Sequence, residues 1–480
     1  MSKNATESLA LTRIQSLLDE ESFVEIGKAV TARNTDFNLQ EKAVSGDGVA
    51  TGYGLINGKL VFVYSQDPSV FHGAVGEMHA RKIVNVYKMA IRMGAPIIGL
   101  LDCAGFRLQE ATDALEAFGS IYGQQIAGSG VIPQITAVLG KCGGGLAMIP
   151  GLADFTFVES GKGKVFVNSP NALKENEISK CDTSACGFQE TETGLADGSG
   201  TEAEIFAQIR ELVDMLPSSS EDDDSYEECA DDLNRICPEL ENAADDPAVL
   251  LSQIADGFRF LELKKDYAPE MAVGFIRLNG ATVGVIANRS KLYDTDGSVQ
   301  MEFDGSLSAQ GCQKAAEFVK FCDAFSLPVL SVTNVNGYSA SVENEKLMAK
   351  AAASLVGALA EASVPKVNVI TKEAYGSAYI AMNSKSVGAD MVYAWPEAQI
   401  GMMDAKLAAE IMYAGSGNDV IAEKTKEYRA LQSSADAAAK RGYVDCLVSP
   451  EDTRKYVIEA FEMLFSKRES RPEKKHNTIV

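Results

Sequence analysis

The chain has 480 residues, enough for two large α/β domains or three ordinary ones. A content of 46% hydrophobic and 23% charged residues, with 41 glycines and 14 prolines, excludes disordered, collagen-like and coiled-coil classes. Sixty-seven acidic against 44 basic residues give a net charge of −23, which argues against nonspecific binding to nucleic acid or to an anionic membrane surface and requires a local basic patch for any polyanionic ligand.

In chain order, residues 1–20 read as a polar amphipathic helix without the apolar stretch and cleavage site of a signal peptide. An Asn57-Gly58 turn between alternating apolar runs predicts a hairpin. A helix carrying Ile83, Val86, Tyr87 and Ala90 on one face follows, then a buried strand after Pro96, a glycine-containing loop, a second helix and another strand after Pro133. That strand ends in Gly140-Lys141-Cys142-Gly143-Gly144-Gly145, a small-residue turn opening a helix, and DFTFV (154–158) is the next strand. Pro217, three serines and residues 221–232, of which eight of twelve are acidic, read as a solvated linker over 218–248.

The series then repeats. Residues 81–106 match 313–338 without a gap, so that Lys82, Lys88, Pro96 and Gly105 recur 232 positions later as Lys314, Lys320, Pro328 and Gly337. The same offset carries Pro133 to Pro365 and Gly144 to Gly376, and the Asn-Gly turn recurs at Asn279-Gly280. Two copies of an α/β unit with a mainly parallel sheet are expected, over 1–217 and 249–480. Nine cysteines, odd in number and mostly within apolar or helical stretches, point to reduced thiols and a cytoplasmic protein. Three histidines (72, 79, 476) and no CxxC pair give a metal site little to build on, and His72 and His79 read as packing or hydrogen-bonding groups. No apolar run approaches the roughly 18 residues of a membrane span.

The repeated glycine turns are where chemistry is expected. Amides at a helix start lack intrahelical acceptors and lie at the positive end of the dipole, so each turn can serve as a backbone oxyanion hole. A further donor is expected from the strand-to-loop corners Ala104-Gly105-Phe106 and Asn336-Gly337-Tyr338. Neither turn has the order of a P-loop or of a dinucleotide fingerprint. Lys141, Arg107, Lys162 and Lys164 are the candidate basic patch, and Cys142 reads as a small packing residue.

VFHGAVGEMHARKI (70–83), GAPIIGLLDCAGFRLQEA (94–111), SGVIPQITAVLGKCGGGLAM (129–148), DYAPEMAVGFIRLNGATVGVIANR (266–289), EASVPKVNVITKEAYGSAYIAM (361–382), RGYVDCLVSPEDTR (441–454) and PEKKHNTI (472–479) together resemble the biotin-dependent acyl-CoA carboxyltransferases, the β-subunit type of propionyl-CoA carboxylase and the large subunit of transcarboxylase. The resemblance implies an α/β chain of tandem duplicated crotonase-like domains, an acyl-CoA side first and a biotin side second, in a homohexamer built as a trimer of dimers. It places Gly144 and Gly145 on the pair that binds the thioester oxyanion, and Ser377 and Ala378 on the pair that binds the ureido oxygen of biotin. Gly105, Phe106, Arg107, Cys142, Gly143, Gly337, Tyr338, Gly376 and Ile380 fall around these pairs as substrate-binding positions. Phe106 and Tyr338 add bulk beside the holes, Ser377 stands for a common glycine, and Ile380 stands for a polar wall residue linked to acyl preference.

The chain lacks a Met-Lys-Met biotinylation site and a glycine-rich ATP loop. Biotin is therefore expected on a separate carrier protein, with a biotin carboxylase subunit or a membrane decarboxylase subunit as further partner, and no metal. Alternatives are the carboxyltransferase component of a sodium-pumping acyl-CoA decarboxylase and a degenerate, non-catalytic CoA-binding subunit, the latter motivated by the altered loop 334–345. A crotonase-type hydratase would need carboxylates at the first hole, where Glu110 is the suggestive residue.

Overall fold

Asn57 and Gly58 both take positive φ (48° and 80°), as do Asn279 and Gly280 (50° and 79°), the backbone that a two-residue hairpin turn requires. The computed structural model describes residues 8–33, 44–222, 224–294, 296–469 and 472. The PEKKHNTI tail beyond Pro472, and His476 with it, lies outside the described residues. The chain divides into two compact units, 1–225 and 226–480.

In the first unit, α1 (Leu9–Leu17) precedes the strands β1 (Val24–Glu25), β2 (Val49–Ile56) and β3 (Lys59–Gln66). After them come α2 (Glu77–Met93), β4 (Ile97–Cys103), α3 (Ala111–Gly128), β5 (Gln134–Gly143), α4 (Met148–Leu152), β6 (Phe155–Glu159), β7 (Lys164–Phe166), β8 (Gly198–Gly200) and α5 (Glu202–Met215). The sheet runs β1-β2-β3-β4-β5-β6-β8, with β7 also paired to β5. The β2–β3 hairpin is antiparallel, and β3, β4, β5 and β6 are parallel to one another. Ile83, Val86, Tyr87 and Ala90 of α2 are buried with Ile97 and Leu101 of β4 in one core, each such side chain worth about 1.5–3 kcal/mol on removal from water.

The second unit repeats this plan. Its elements are α6 (Pro247–Ile254), β9 (Phe260–Leu263), β10 (Met271–Leu278), β11 (Ala281–Asn288), β12 (Ser306–Leu307), α7 (Ala309–Ala324), β13 (Val329–Val335), β14 (Gly337–Tyr338) and α8 (Val342–Glu361). They continue with β15 (Lys366–Tyr375), α9 (Gly376–Ala381), β16 (Met391–Ala394), β17 (Gln399–Gly401), α10 (Ala405–Met412), α11 (Asn418–Tyr428), β18 (Cys446–Leu447) and α12 (Thr453–Leu464). The main sheet runs β18-β16-β15-β13-β11-β10-β9, with β17 on β15.

The expected linker over 218–248 is divided by this architecture. Most of 221–232 is exposed, but Cys237, Leu240, Ala243 and Ala244 are buried in the core of the second unit with Leu250 and Val285. The acidic composition marks the first part, whereas the apolar spacing from Cys237 onward belongs to a domain.

The duplication extends to polar detail. The Lys82 ammonium donates to the carbonyls of Gly46 (2.9 Å) and Val49, tying α2 to the start of β2. Lys314 does the same from α7, donating to the carbonyls of Lys264 (2.8 Å), Tyr267 (2.7 Å) and Ala268 (3.4 Å) ahead of β10. The Asp154 carboxylate accepts from the amide of Gln134 at the start of β5, and Asp390 accepts from Lys366 at the start of β15, both at 2.8 Å. His79 is fully buried, with Nδ1 3.0 Å from the Asp47 carbonyl and Nε2 3.3 Å from Gln66 Nε2. Burial pushes its pKa down to about 3.

Candidate active site

β5 ends at Gly143, and Gly144 then adopts φ 63°, turning the chain into a short 3₁₀ turn (Gly144–Ala147) that runs into α4. Residues with a Cβ adopt this backbone at a cost, which accounts for glycine at 144. At Gly144 a Cβ would also point into open space, as would one at Gly105. Among the described residues no backbone acceptor in the loops or caps faces the amides of Gly144 and Gly145. They are the unpaired donors of a helix start.

The corner after β4 is fixed by a short parallel bridge. Val75 donates to the Gly105 carbonyl (2.9 Å) and accepts from the Arg107 amide (2.8 Å), while the Ala104 amide donates to His72 (3.1 Å). The Gly105 amide meets Cys103 Sγ at 3.3 Å. Of this corner, the Phe106 amide is the one without such an acceptor among the described residues, which makes it the candidate of the three for a further donor. Its ring is 44% exposed and stands edge-on to Phe118 (centroids 6.3 Å apart). Phe118 stacks on Tyr122 at 6.0 Å, and the Tyr122 hydroxyl donates to the Gly145 carbonyl at 2.5 Å. A Cβ at Gly145 would lie 3.0 Å from that hydroxyl.

The second unit builds the same object. β15 ends at Tyr375, Gly376 adopts φ 61°, and α9 begins. Ser377 has a negative φ, so the αL position is held by Gly376 and the serine carries no backbone strain. Under the repeat, Gly376 is the counterpart of Gly144, Ser377 of Gly145 and Ala378 of Leu146. At the corner, the Asn336 amide donates to Gly305 (3.0 Å) and the Ser339 amide to Leu307 (2.9 Å), with Leu307 paired to Tyr338 between them. Tyr338 thus occupies the place of Phe106. Its hydroxyl faces the Ser377 side chain; burial raises its pKa, and the bond to Ser377 partly opposes the rise. Ile380, 38% exposed, is three residues beyond Ser377 on the same helical face. The altered loop 334–345 runs into a capped helix start, in which Ser341 accepts from the Asn344 amide (3.2 Å) to open α8. Asp404 likewise caps α10, accepting from Lys406 and Leu407.

Not every expected residue reaches the site. The Arg107 side chain is 1% exposed, bonded to Asp47 (2.8 Å) and Glu110 (2.7 Å), and stacked over the Phe71 ring, so it offers no charge to a phosphate. Glu110 also accepts from the Glu77 amide at 2.6 Å, capping α2, and is no free acid or base. Cys142 is fully buried opposite Cys103, its thiol pushed far up by burial, so it packs beneath the glycine turn and presents no surface to a ligand. Gly143 rests against Phe166, whose ring a Cβ would strike at 2.6 Å. Lys141 and Lys164 are register partners at the β5–β7 edge beside exposed Lys162, although Lys164 is paired to Asp182 (2.8 Å). Sequence reasoning passed over Phe118 and Tyr122; the signal available was their i, i+4 aromatic spacing on α3.

The carboxyl transferase domain family matches residues 2–479. The chain is 39% identical to the propionyl-CoA carboxylase beta chain of Roseobacter denitrificans, over 98% of this chain and 93% of that one. It is 37% identical to the methylmalonyl-CoA decarboxylase subunit alpha of Veillonella parvula, over 98% and 92%. Among solved structures, a transcarboxylase 12S hexamer with hydrolysed methylmalonyl-coenzyme A bound superposes with a TM-score of 0.91 at 32% identity, covering 98% of this chain and 92% of that one.

Proposed function

Because the chain belongs to the carboxyl transferase domain family and is a biotin-dependent acyl-CoA carboxyltransferase with two crotonase-like units, we propose that it moves a carboxyl group between carboxybiotin and the α-carbon of a short-chain acyl-CoA, of propionyl or acetyl type. The observation that carries the reading is the repetition, at one offset, of a strand that ends in an αL glycine opening a helix, at Gly144 and at Gly376, each suited to an oxyanion hole. In the first unit the amides of Gly144, Gly145 and Phe106 hold the thioester oxygen and stabilise the enolate; losing one such donor typically costs about 2.7–4 kcal/mol of transition-state stabilisation. In the second, Ser377 and Ala378, with Tyr338 at the corner, fit a ureido oxygen, since such an oxygen is an acceptor that clustered amides satisfy. Biotin, delivered on a separate carrier protein, supplies the carboxyl group and the base for the α-proton. The chain's residues need only hold two oxygens and bring two reactants together, so the reaction asks for no histidine or carboxylate as acid or base.

The transcarboxylase relative is a hexamer, and we extend that assembly to this chain. Ile411 and Met412 on α10 and Leu431 beyond α11 are each more than half exposed, an apolar surface suited to a subunit contact. A biotin carboxylase subunit completes a carboxylase. The decarboxylase relative supports a second reading, in which the same site runs in reverse beside a membrane subunit.

Purified protein given malonyl-CoA or methylmalonyl-CoA and free biotin or its carrier is expected to consume the thioester only when biotin is present. Binding of CoA esters without biotin-dependent turnover would instead identify a non-catalytic subunit. Sodium-dependent turnover restored by a membrane subunit, in place of ATP-dependent turnover restored by a biotin carboxylase, would select the second reading.

A further inference from the structure

We infer that Phe106 limits the size of the α-substituent on the acyl group, on the side of the thioester hole, an inference that rests on the carboxyl-transfer reading. The carbon that gains or loses the carboxyl group is bonded to the carbonyl carbon whose oxygen the hole holds. Phe106 contributes its amide to that hole, and its side chain begins one bond beyond the donor's own Cα. Substituents on the reacting carbon and the Phe106 ring therefore compete for the same volume. Gly105 and Gly144 add no wall of their own, because each would direct a Cβ into open space.

The ring is backed on one side. Its edge abuts Phe118, which is 3% exposed, Phe118 stacks on Tyr122, and the Tyr122 hydroxyl is held by the Gly145 carbonyl. These contacts start at one donor residue and end at another, so the wall and the hole are one construction. Its 44% exposed face is apolar. It accepts a hydrogen or a methyl group on the α-carbon, crowds an ethyl group, and leaves any further carboxylate carried on that substituent, beyond the one transferred, without a partner.

The test compares biotin-dependent decarboxylation of malonyl-, methylmalonyl- and ethylmalonyl-CoA by the wild type, Phe106→Ala and Phe106→Trp. The wild type is expected to turn over the first two well and ethylmalonyl-CoA poorly. Phe106→Ala should raise kcat/KM for ethylmalonyl-CoA relative to malonyl-CoA by about tenfold or more, the usual worth of one methylene in an apolar pocket. Phe106→Trp should lower the methylmalonyl-to-malonyl ratio. Both ratios unchanged in active variants overturns the inference while leaving carboxyl transfer intact. Wild-type protein inert toward all three thioesters overturns carboxyl transfer itself, and the size limit with it.

Discussion

The proposed second hole asks little of the Ser377 side chain, because the donor assigned to it is the amide and the αL backbone belongs to Gly376. Ser377→Ala is accordingly expected to keep kcat within a few-fold of wild type. Ser377→Pro deletes the N–H at a first-turn position where proline is otherwise accommodated, and should lower kcat about 10²–10³-fold in the biotin-dependent assay. His79 gives a residue-level prediction about pH. Its folded pKa of about 3 lies below the ordinary 6.5, so the unfolded chain binds a proton that the folded chain does not. Stability from this group is complete above pH 6.5 and is lost as pH falls toward 3, at up to about 1.4 kcal/mol per pH unit. Urea midpoints measured against pH should fall less steeply for His79→Gln than for the wild type.

At the scale of elements, the recurring lysines join helix to hairpin in both units. Lys314→Met leaves three loop carbonyls without their donor and should lower unfolding stability by about 1–3 kcal/mol, read from urea unfolding; Lys82→Met should act in the same direction. The hairpins, the α2 face and the buried strands after Pro96 and Pro328 were legible in sequence because turn chemistry and apolar periodicity are local. The glycine turns were legible because they occur twice. Arg107 was misread because a lone arginine near a candidate site looks cationic until its partners Asp47 and Glu110, 60 positions upstream and three downstream, are seen beside it. The end of the linker was misread for a related reason, since acidic composition does not reveal that Leu240 has a core to enter.

For the whole molecule, the net charge of −23 means that an anionic coenzyme needs a local basic patch, for which exposed Lys141 and Lys162 are the proposed candidates. Among the described residues no helix is long and apolar enough to cross a membrane. If α10 carries the subunit contact, Ile411→Asp combined with Met412→Asp should shift the sedimentation coefficient from the hexamer toward smaller species. The peptide-bond donors proposed for the two holes also bear on how such a chain diverges. At Phe106, Ser377, Ala378 and Tyr338, every side chain except proline leaves an N–H in place, so mutation can redecorate the walls while the reaction persists. A lineage built this way can drift from one thioester to another without passing through an inactive ancestor, and its members will share a chemistry more faithfully than they share a substrate.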